Sequence, residues 1–248
     1  MHPINIKTLN FYARTNEKLL KGPVRAIILE FPGLDGGSCL GGVNGTGDYT
    51  GNYAAECGEQ GALLCYCFTG PWSWMNAGAV KITDAIVDVI FDKYSLPENT
   101  AIVSTGGSMG GQGALIYSCS AKRTPTACAA NGPACDVITA YDAHPDFPRT
   151  FYRAVAEYDM NFIDALKSIS PFHRISDMPF IPYYIIHCGA DEVLPPEKHS
   201  DIFVAKMRSL GHDVIYVEEP ERHHCDITPS SRAAFNAFIY EQAKKNIS

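Results

Sequence analysis

The sequence predicts an α/β protein in which helices flank both faces of a doubly wound, mostly parallel β-sheet. Short apolar runs recur along the 248 residues, and amphipathic segments with helical spacing separate them. This alternation is typical of parallel sheets, because parallel neighbours need a crossover that is usually helical. With 46% hydrophobic residues the chain can bury one substantial core, so we expect residues 1–248 to form a single domain.

The predicted elements alternate regularly along the chain. An edge strand at residues 4–12 comes first, and a central strand at 24–31 follows it. Further strands are predicted at 63–68, 101–103, 126–130, 181–187 and 213–217. The helices are predicted at 53–60, 77–91, 112–117, 163–169, 197–210 and 230–245. Apolar residues three and four positions apart support the long helix at 77–91, as at Ile82, Ile86 and Val89.

A serine stands between the predicted strand at 101–103 and its helix, within Gly106-Gly107-Ser108-Met109-Gly110. This G-x-S-x-G pattern between a strand and a helix is typical of a nucleophile elbow. The tight turn presents the hydroxyl above the sheet. Larger residues two positions before or after it would collide with the neighbouring strand and helix. The pattern alone also fits an ordinary turn of small residues, but its position favours a nucleophilic Ser108.

Two further residues follow in the order expected for a Ser–Asp–His triad. Asp191 comes just after the predicted strand at 181–187, and Pro195 and Pro196 open the next helix. His224 lies in the loop after the last predicted strand. Such an acid would orient the imidazole, which would remove the serine proton. Asp191 alone could be a helix cap and His224 alone a loop residue, but their joint order favours catalysis.

The elbow, the segment His187-Cys188-Gly189-Ala190-Asp191 and the late histidine together resemble the α/β-hydrolase superfamily, most closely its esterase and prolyl-oligopeptidase-like branch. The similarity covers the chain from about residue 24 onward. It implies the α/β-hydrolase fold, with Ser108 as nucleophile, Asp191 as acid and His224 as base. In related chains one small residue commonly follows the catalytic histidine, and Cys225 has that place here, which favours His224 over His223.

The resemblance also implies an oxyanion hole made of two backbone N–H groups. One belongs to Met109 and the other to Leu34, which follows Pro32-Gly33 where many relatives have His-Gly. The family places a lid where this chain has an aromatic segment at about 135–177. We therefore expect a small lid-like insertion there, although its aromatic residues could simply bury it against the body.

Other features of the chain are expected to shape the pocket or to exclude ligands. Trp72 and Trp74 follow a strand at the edge where α/β sheets bind ligands, so they are candidate substrate contacts or else hydrophobic plugs. The glycine-rich segment 35–52 lacks the lysine of a phosphate-binding loop, so no nucleotide cofactor is expected. It is either a loop beside the oxyanion hole or a structural excursion.

Composition and cysteine usage narrow the classes of partner. The formal net charge is −7 and no basic cluster is present, so nucleic acid is not an expected partner. No segment resembles a signal peptide or a membrane span. The nine scattered cysteines, without a C-x-x-C pair, favour reduced thiols over disulfides or a metal site, and hence a cytoplasmic protein. A secreted form with its leader removed stays an alternative.

Three functions compete at this point. The favoured one is a serine hydrolase that cleaves carboxylic esters of small soluble substrates through an acyl-enzyme. The alternative is a prolyl-oligopeptidase-like peptidase acting on short peptides. A binding module that retains the fold without catalysis is disfavoured, because the three triad residues are all present.

Overall fold

The computed structural model describes residues 4–34 and 51–245, and that part of the chain contains a seven-stranded sheet. Its strands are β1 (Ala13–Thr15), β2 (Ala26–Phe31), β3 (Ala62–Cys67), β4 (Ala101–Gly107), β5 (Ala127–Asn131), β6 (Tyr183–Cys188) and β7 (Val214–Glu219). They are ordered β1-β3-β2-β4-β5-β6-β7. The β1 strand is antiparallel to β3, and the other neighbours are parallel. The predicted mostly parallel sheet is confirmed.

Helices cover both faces of the sheet. In the described residues they are α1 (Asn52–Glu59), α2 (Ala77–Tyr94), α3 (Met109–Ser120), α4 (Val137–Ala140), α5 (Phe147–Val155), α6 (Phe162–Ser168), α7 (Ser200–Ser209) and α8 (Pro229–Lys244). Successive residues of a strand point to opposite faces. Ile27 and Leu29 join a core that includes residues of α2, α3 and α7, whereas Ile28 joins a core that includes residues of α1 and α8. The doubly wound arrangement is therefore confirmed.

The prediction of an edge strand at residues 4–12 is wrong in its position. The edge strand is β1, and the chain before it forms a turn and a short 3-10 helix at Leu9–Phe11. The Asn5 side chain accepts the N–H of Lys7 at 2.9 Å, and the Thr8 hydroxyl oxygen accepts the N–H of Asn5 at 2.9 Å. Such local side-chain bonds compete with a strand ladder, and here they favour the turn.

The segment at 135–177, for which the sequence predicts a lid-like insertion, lies between β5 and β6 and forms no strand. It contains α4, α5, α6 and a 3-10 helix at Ile175–Asp177. Its buried side chains form a third apolar core with Trp74 and Leu194. Buried Gln112 of α3 also donates to the carbonyl of Ile169 at 2.6 Å. The insertion is thus packed against the rest of the fold at the edge where the parallel strands end.

Other sequence predictions concern thiols, membranes and the glycine-rich segment. The eight cysteines in the described part of the chain are free thiols. The Sγ atoms of Cys65 and Cys67 lie 3.9 Å apart, as expected for side chains on one face of a strand. Within residues 4–34 and 51–245, no helix combines the length and apolarity needed to span a bilayer. Segment 35–52 lies outside the described residues except for its last two positions.

Candidate active site

Ser108 occupies the sharp turn between β4 and α3, with backbone angles φ 56° and ψ −123°. A positive φ is uncommon for a residue with a Cβ and indicates a strained turn. The Ser108 N–H donates to the carbonyl of Asn131 at 2.9 Å, and its carbonyl accepts the Gln112 N–H at 3.0 Å. These backbone bonds hold the turn in the geometry expected of a nucleophile elbow.

Two glycines make this turn possible. A Cβ on Gly106 would lie 2.5 Å from the backbone of Gly110, and a Cβ on Gly110 would overlap the carbonyl oxygen of Phe31 in β2. A Cβ atom essentially never lies within 3.0 Å of a heavy atom beyond its own residue and its two chain neighbours. The helix and the neighbouring strand therefore require glycine at both positions, for the steric reason that the sequence pattern suggests.

Asp191 lies in the loop after β6, and its side chain is fully buried. Its Oδ1 accepts the N–H groups of Val193 and Leu194, each at 2.9 Å. Its Oδ2 lies 2.6 Å from Nδ1 of His224. The two backbone donors fix the carboxylate through one oxygen, so that the other oxygen is presented to the imidazole.

His224 links this acid to the serine. It lies in the loop after β7, and its side chain is 23% exposed. Its Nε2 is 2.9 Å from Oγ of Ser108. When Nδ1 donates to Asp191, Nε2 is free to accept the Ser108 hydroxyl hydrogen. The three residues predicted from sequence thus form one hydrogen-bonded series, and the neighbouring His223 is exposed.

Opposing effects set the charges within this series. Burial raises the pKa of the Asp191 carboxyl, but hydrogen bonds from His187, His224 and the Leu194 N–H outweigh burial and hold that pKa well below its ordinary value. Burial lowers the pKa of the His224 imidazole, but the hydrogen bond to Asp191 outweighs it, and the net pKa is raised. Asp191 is therefore ionised at neutral pH and can stabilise an imidazolium at His224.

Ser108 and His224 line a cleft of about 550 Å³. The turn after β2, which contains Gly33 and Leu34, forms one side, and a Cβ on Gly33 would lie 3.9 Å from the Ser108 Cβ. Met109 is the first residue of α3, where backbone N–H groups have no acceptor within the helix. The backbone at Leu34 and Met109 therefore flanks the serine, where the resemblance places the oxyanion hole.

The two tryptophans, predicted as substrate contacts or else hydrophobic plugs, are not among the residues that line this cleft. Trp74 is 1% exposed, stacks on Phe151 at 4.1 Å between ring centroids and donates from its indole N–H to Thr150 Oγ1 at 3.0 Å. Trp72 lies beneath the guanidinium of Arg149 and lines a separate cavity. Both residues have positive φ, and their rings contact residues of α5. The two tryptophans therefore pack the segment at 135–177 against the loop that follows β3.

Several residues that sequence reasoning did not single out complete the site. Asn131, at the end of β5, donates to the carbonyl of Cys225 at 3.2 Å and so holds the histidine loop. His187 of β6 lies 3.1 Å from Oδ2 of Asp191. His144 and Phe147 of the insertion line the cleft. Position at a strand end was an available signal for Asn131 and His187. Phe147 belongs to the aromatic segment that the sequence predicts as a lid, but nothing in the sequence indicated His144.

The profile of the prolyl oligopeptidase family matches residues 74–248. This match covers well over half of the chain and includes Ser108, Asp191 and His224. The chain belongs to the prolyl oligopeptidase family. No curated protein sequence matches it significantly.

Solved structures similar to this prolyl oligopeptidase family member include peptidases and esterases. A puromycin hydrolase is 14% identical, with a TM-score of 0.71 over 92% of this chain. This chain spans 35% of that protein's length. A truncated carbohydrate esterase from gut microbiota is 16% identical with a TM-score of 0.69, covering 91% of this chain and 88% of its own. Esterase B from Lactobacillus rhamnosis is 12% identical with a TM-score of 0.67, and the match covers 91% of this chain and 78% of the esterase. At these identities the likenesses show a shared α/β-hydrolase fold.

Proposed function

We propose that the protein hydrolyses carboxylic esters of small soluble substrates through an acyl-enzyme on Ser108. The observation that supports this most is the unbroken series of hydrogen bonds from Ser108 Oγ through His224 to Asp191, at 2.9 Å and 2.6 Å. The serine and histidine ends of this series line a cleft. A nucleophile, a base and an acid in this order are the parts that acyl transfer requires.

In the proposed acylation, Ser108 Oγ attacks the carbonyl carbon of the ester while its proton passes to Nε2 of His224. Asp191 stabilises the imidazolium that forms. The negative charge that develops on the carbonyl oxygen is held by the backbone N–H groups of Leu34 and Met109. The bond to the alcohol then breaks, and the alcohol leaves with the proton from His224.

In the proposed deacylation, a water molecule takes the place of the alcohol. His224 accepts a proton from the water, whose oxygen attacks the acyl carbon. The bond from that carbon to Ser108 Oγ breaks, and the proton on His224 returns to the serine oxygen. The products are a free carboxylic acid and the regenerated enzyme.

The lining of the cleft supports compact substrates. Phe31, Leu34, Phe147 and Val193 give it apolar walls, and its volume of about 550 Å³ falls in the lower half of the range for small-molecule sites. The insertion at 135–177 roofs one side in this proposal. We expect short acyl or compact aryl groups to be preferred over long-chain emulsified lipids.

A peptidase acting on short peptides is the second candidate. The observation that favours it is the similarity to a puromycin hydrolase and to an acylaminoacyl peptidase from Pyrococcus horikoshii. Esters remain the first proposal, because the carbohydrate esterase and esterase B are covered over most of their length. The part of the fold present in this chain therefore comprises most of each of those two esterases.

The deciding experiment measures kcat/KM on ester and amide pairs that share one acyl group. Acyl groups would run from acetyl to palmitoyl, with dipeptidyl amides alongside, and Ser108→Ala would report the background. We expect faster cleavage of esters than of the matched amides, with a maximum at short acyl chains. Faster cleavage of dipeptidyl amides than of any ester would favour the peptidase, and rates that rise to the longest chain would contradict the compact cleft.

A further inference from the structure

A second histidine lies behind the acid of the series. His187 is the fifth residue of β6, and its side chain is completely buried. Its Nε2 lies 2.7 Å from the carbonyl oxygen of Leu194 and 3.1 Å from Oδ2 of Asp191. Its Nδ1 lies 2.6 Å from Oγ of Ser200, the first residue of α7. The mechanism above makes no use of these contacts.

The partners of His187 determine its tautomer. The Leu194 carbonyl can only accept, so Nε2 must bear a hydrogen, which it shares between that carbonyl and Oδ2 of Asp191. When Nδ1 carries no hydrogen of its own, it accepts the hydroxyl hydrogen of Ser200. A ring rotated by 180° would direct carbon atoms at these partners, so the surroundings select one orientation.

We infer that His187 is a positioning residue for the catalytic acid, giving Oδ2 of Asp191 a second N–H donor that fixes the carboxylate in place for His224. This inference rests on the proposed function of the triad. The contacts are continuous from Ser200 through His187, Asp191 and His224 to Ser108. The acid is therefore held on Oδ1 by backbone donors and on Oδ2 by a buried side chain.

Sharing one oxygen between two donors has an electrostatic consequence. The His187 N–H takes up part of the negative charge on Oδ2, which weakens the attraction between Asp191 and an imidazolium at His224. Without that donor, His224 would keep its proton to a higher pH, and the carboxylate would be less firmly oriented. Removing the donor should therefore lower kcat and also move the acid limb of the rate profile to higher pH.

Other ionisable groups near His187 lie on three neighbouring elements. Cys135 and Asp136 follow β5, His199 precedes α7, and Glu218 is the register partner of His187 on β7. Burial lowers the pKa of His199 to about 4, and burial raises the pKa of Cys135 far above its ordinary value. Both groups are therefore neutral near pH 7, and Glu218 is exposed.

The groups that contact His224 itself are Asp191, Ser108 and the Cys225 thiol, whose Sγ lies 3.7 Å from Nε2, and His144 lines the same cleft. The acid limb is assigned to His224 because this base must lose its proton before it can accept the one on Ser108.

The test compares two substitutions of similar size. His187→Leu removes the donor, whereas His187→Gln keeps an N–H group at the place of Nε2. With one activated ester, we expect His187→Leu to lower kcat about tenfold to a hundredfold with KM little changed, and to move the acid limb to higher pH. His187→Gln should retain most of the parental kcat and most of the parental position of the acid limb. His212→Leu is the control, because His212 is buried before β7 at the opposite end of the sheet and should leave the limb in place.

An acid limb that stays in place in folded His187→Leu would overturn the inference, whether or not kcat falls. If circular dichroism shows that this variant does not fold, Ser200→Ala decides, since it removes the hydroxyl that supports the ring. In Ser200→Ala, a smaller shift of the acid limb to higher pH supports the inference, and an acid limb that does not move overturns it. Parental rates in Ser108→Ala would instead show that the proposed function has failed, whatever the His187 variants do.

Discussion

Replacing the acid by an amide of the same shape, Asp191→Asn, separates its charge from its size. The N–H groups of Val193 and Leu194 select the amide oxygen for the place of Oδ1. The new NH2 group then takes the place of Oδ2, which lies 2.6 Å from Nδ1 of His224. Because NH2 only donates, His224 must place its proton on Nε2, which faces Ser108. In that tautomer the imidazole cannot accept the serine proton.

Two losses set the size of the effect. A buried, charge-assisted hydrogen bond to the imidazolium is worth up to about 3 kcal/mol, and restoring the working tautomer against unpaired donors costs about 2 kcal/mol. The activation free energy should therefore rise by about 5 kcal/mol, which is between three and four orders of magnitude in kcat. The corresponding substitution in serine proteases lowers kcat about 10⁴-fold, which agrees with this range.

The assay measures kcat and KM of both proteins on one activated ester, with circular dichroism to show that the variant is folded. Glu192→Gln is the matched control, because Glu192 is the exposed neighbour of the acid and should keep kcat within about twofold of the parent. A loss smaller than about tenfold in folded Asp191→Asn, or an equal loss in the control, would refute the reasoning.

The remaining predictions concern the base, the pH profile and the elbow. His224→Ala should abolish turnover of an activated ester, whereas His223→Ala should reduce it only modestly because His223 is exposed. The reverse ranking would assign the base to His223. The pKa of His224 is raised above its ordinary value of 6.5, so kcat/KM should fall as pH decreases through a value above 6.5. The stability that the His224–Asp191 ion pair contributes is complete below pH 6.5 and is lost as pH rises through the raised pKa. A limb at or below 6.5 would contradict this. Gly110→Ala should lower the free energy of unfolding by about 1–3 kcal/mol, because the new Cβ overlaps the Phe31 carbonyl. Gly22→Ala is the control and should leave the thermal midpoint nearly unchanged, because its Cβ would meet no atom within 4 Å.

The sequence was sufficient for the six parallel strands of the sheet and for the three residues at their carboxyl ends. Ser108, Asp191 and His224 each follow a predicted strand, and the ends of parallel strands meet at one edge of a sheet. The glycines around Ser108 could be justified from steric reasoning alone, and the collisions at Gly106 and Gly110 agree with it. Chain order and backbone sterics are local properties, which explains why they could be derived without coordinates.

Features that depend on tertiary contacts could not be derived in this way. The direction of the Trp74 ring follows from its contacts with α5, a helix 73 positions or more away along the chain. Hydrogen bonds of Asn5 and Thr8 decided against the first strand, although the apolar pattern favoured it. The partners of His187 come from Asp191 and Ser200, and no periodicity indicates them.

Covalent labelling with a fluorophosphonate tests the central claim most directly, because an activated serine displaces its fluoride and forms a stable covalent adduct. Intact mass and peptide mapping of the labelled protein would identify the modified residue. We predict one adduct per chain, located on Ser108, formed in step with loss of ester hydrolysis and absent from Ser108→Ala. An adduct on another residue, or full activity in protein whose Ser108 is labelled, would contradict the assignment of Ser108 as the nucleophile.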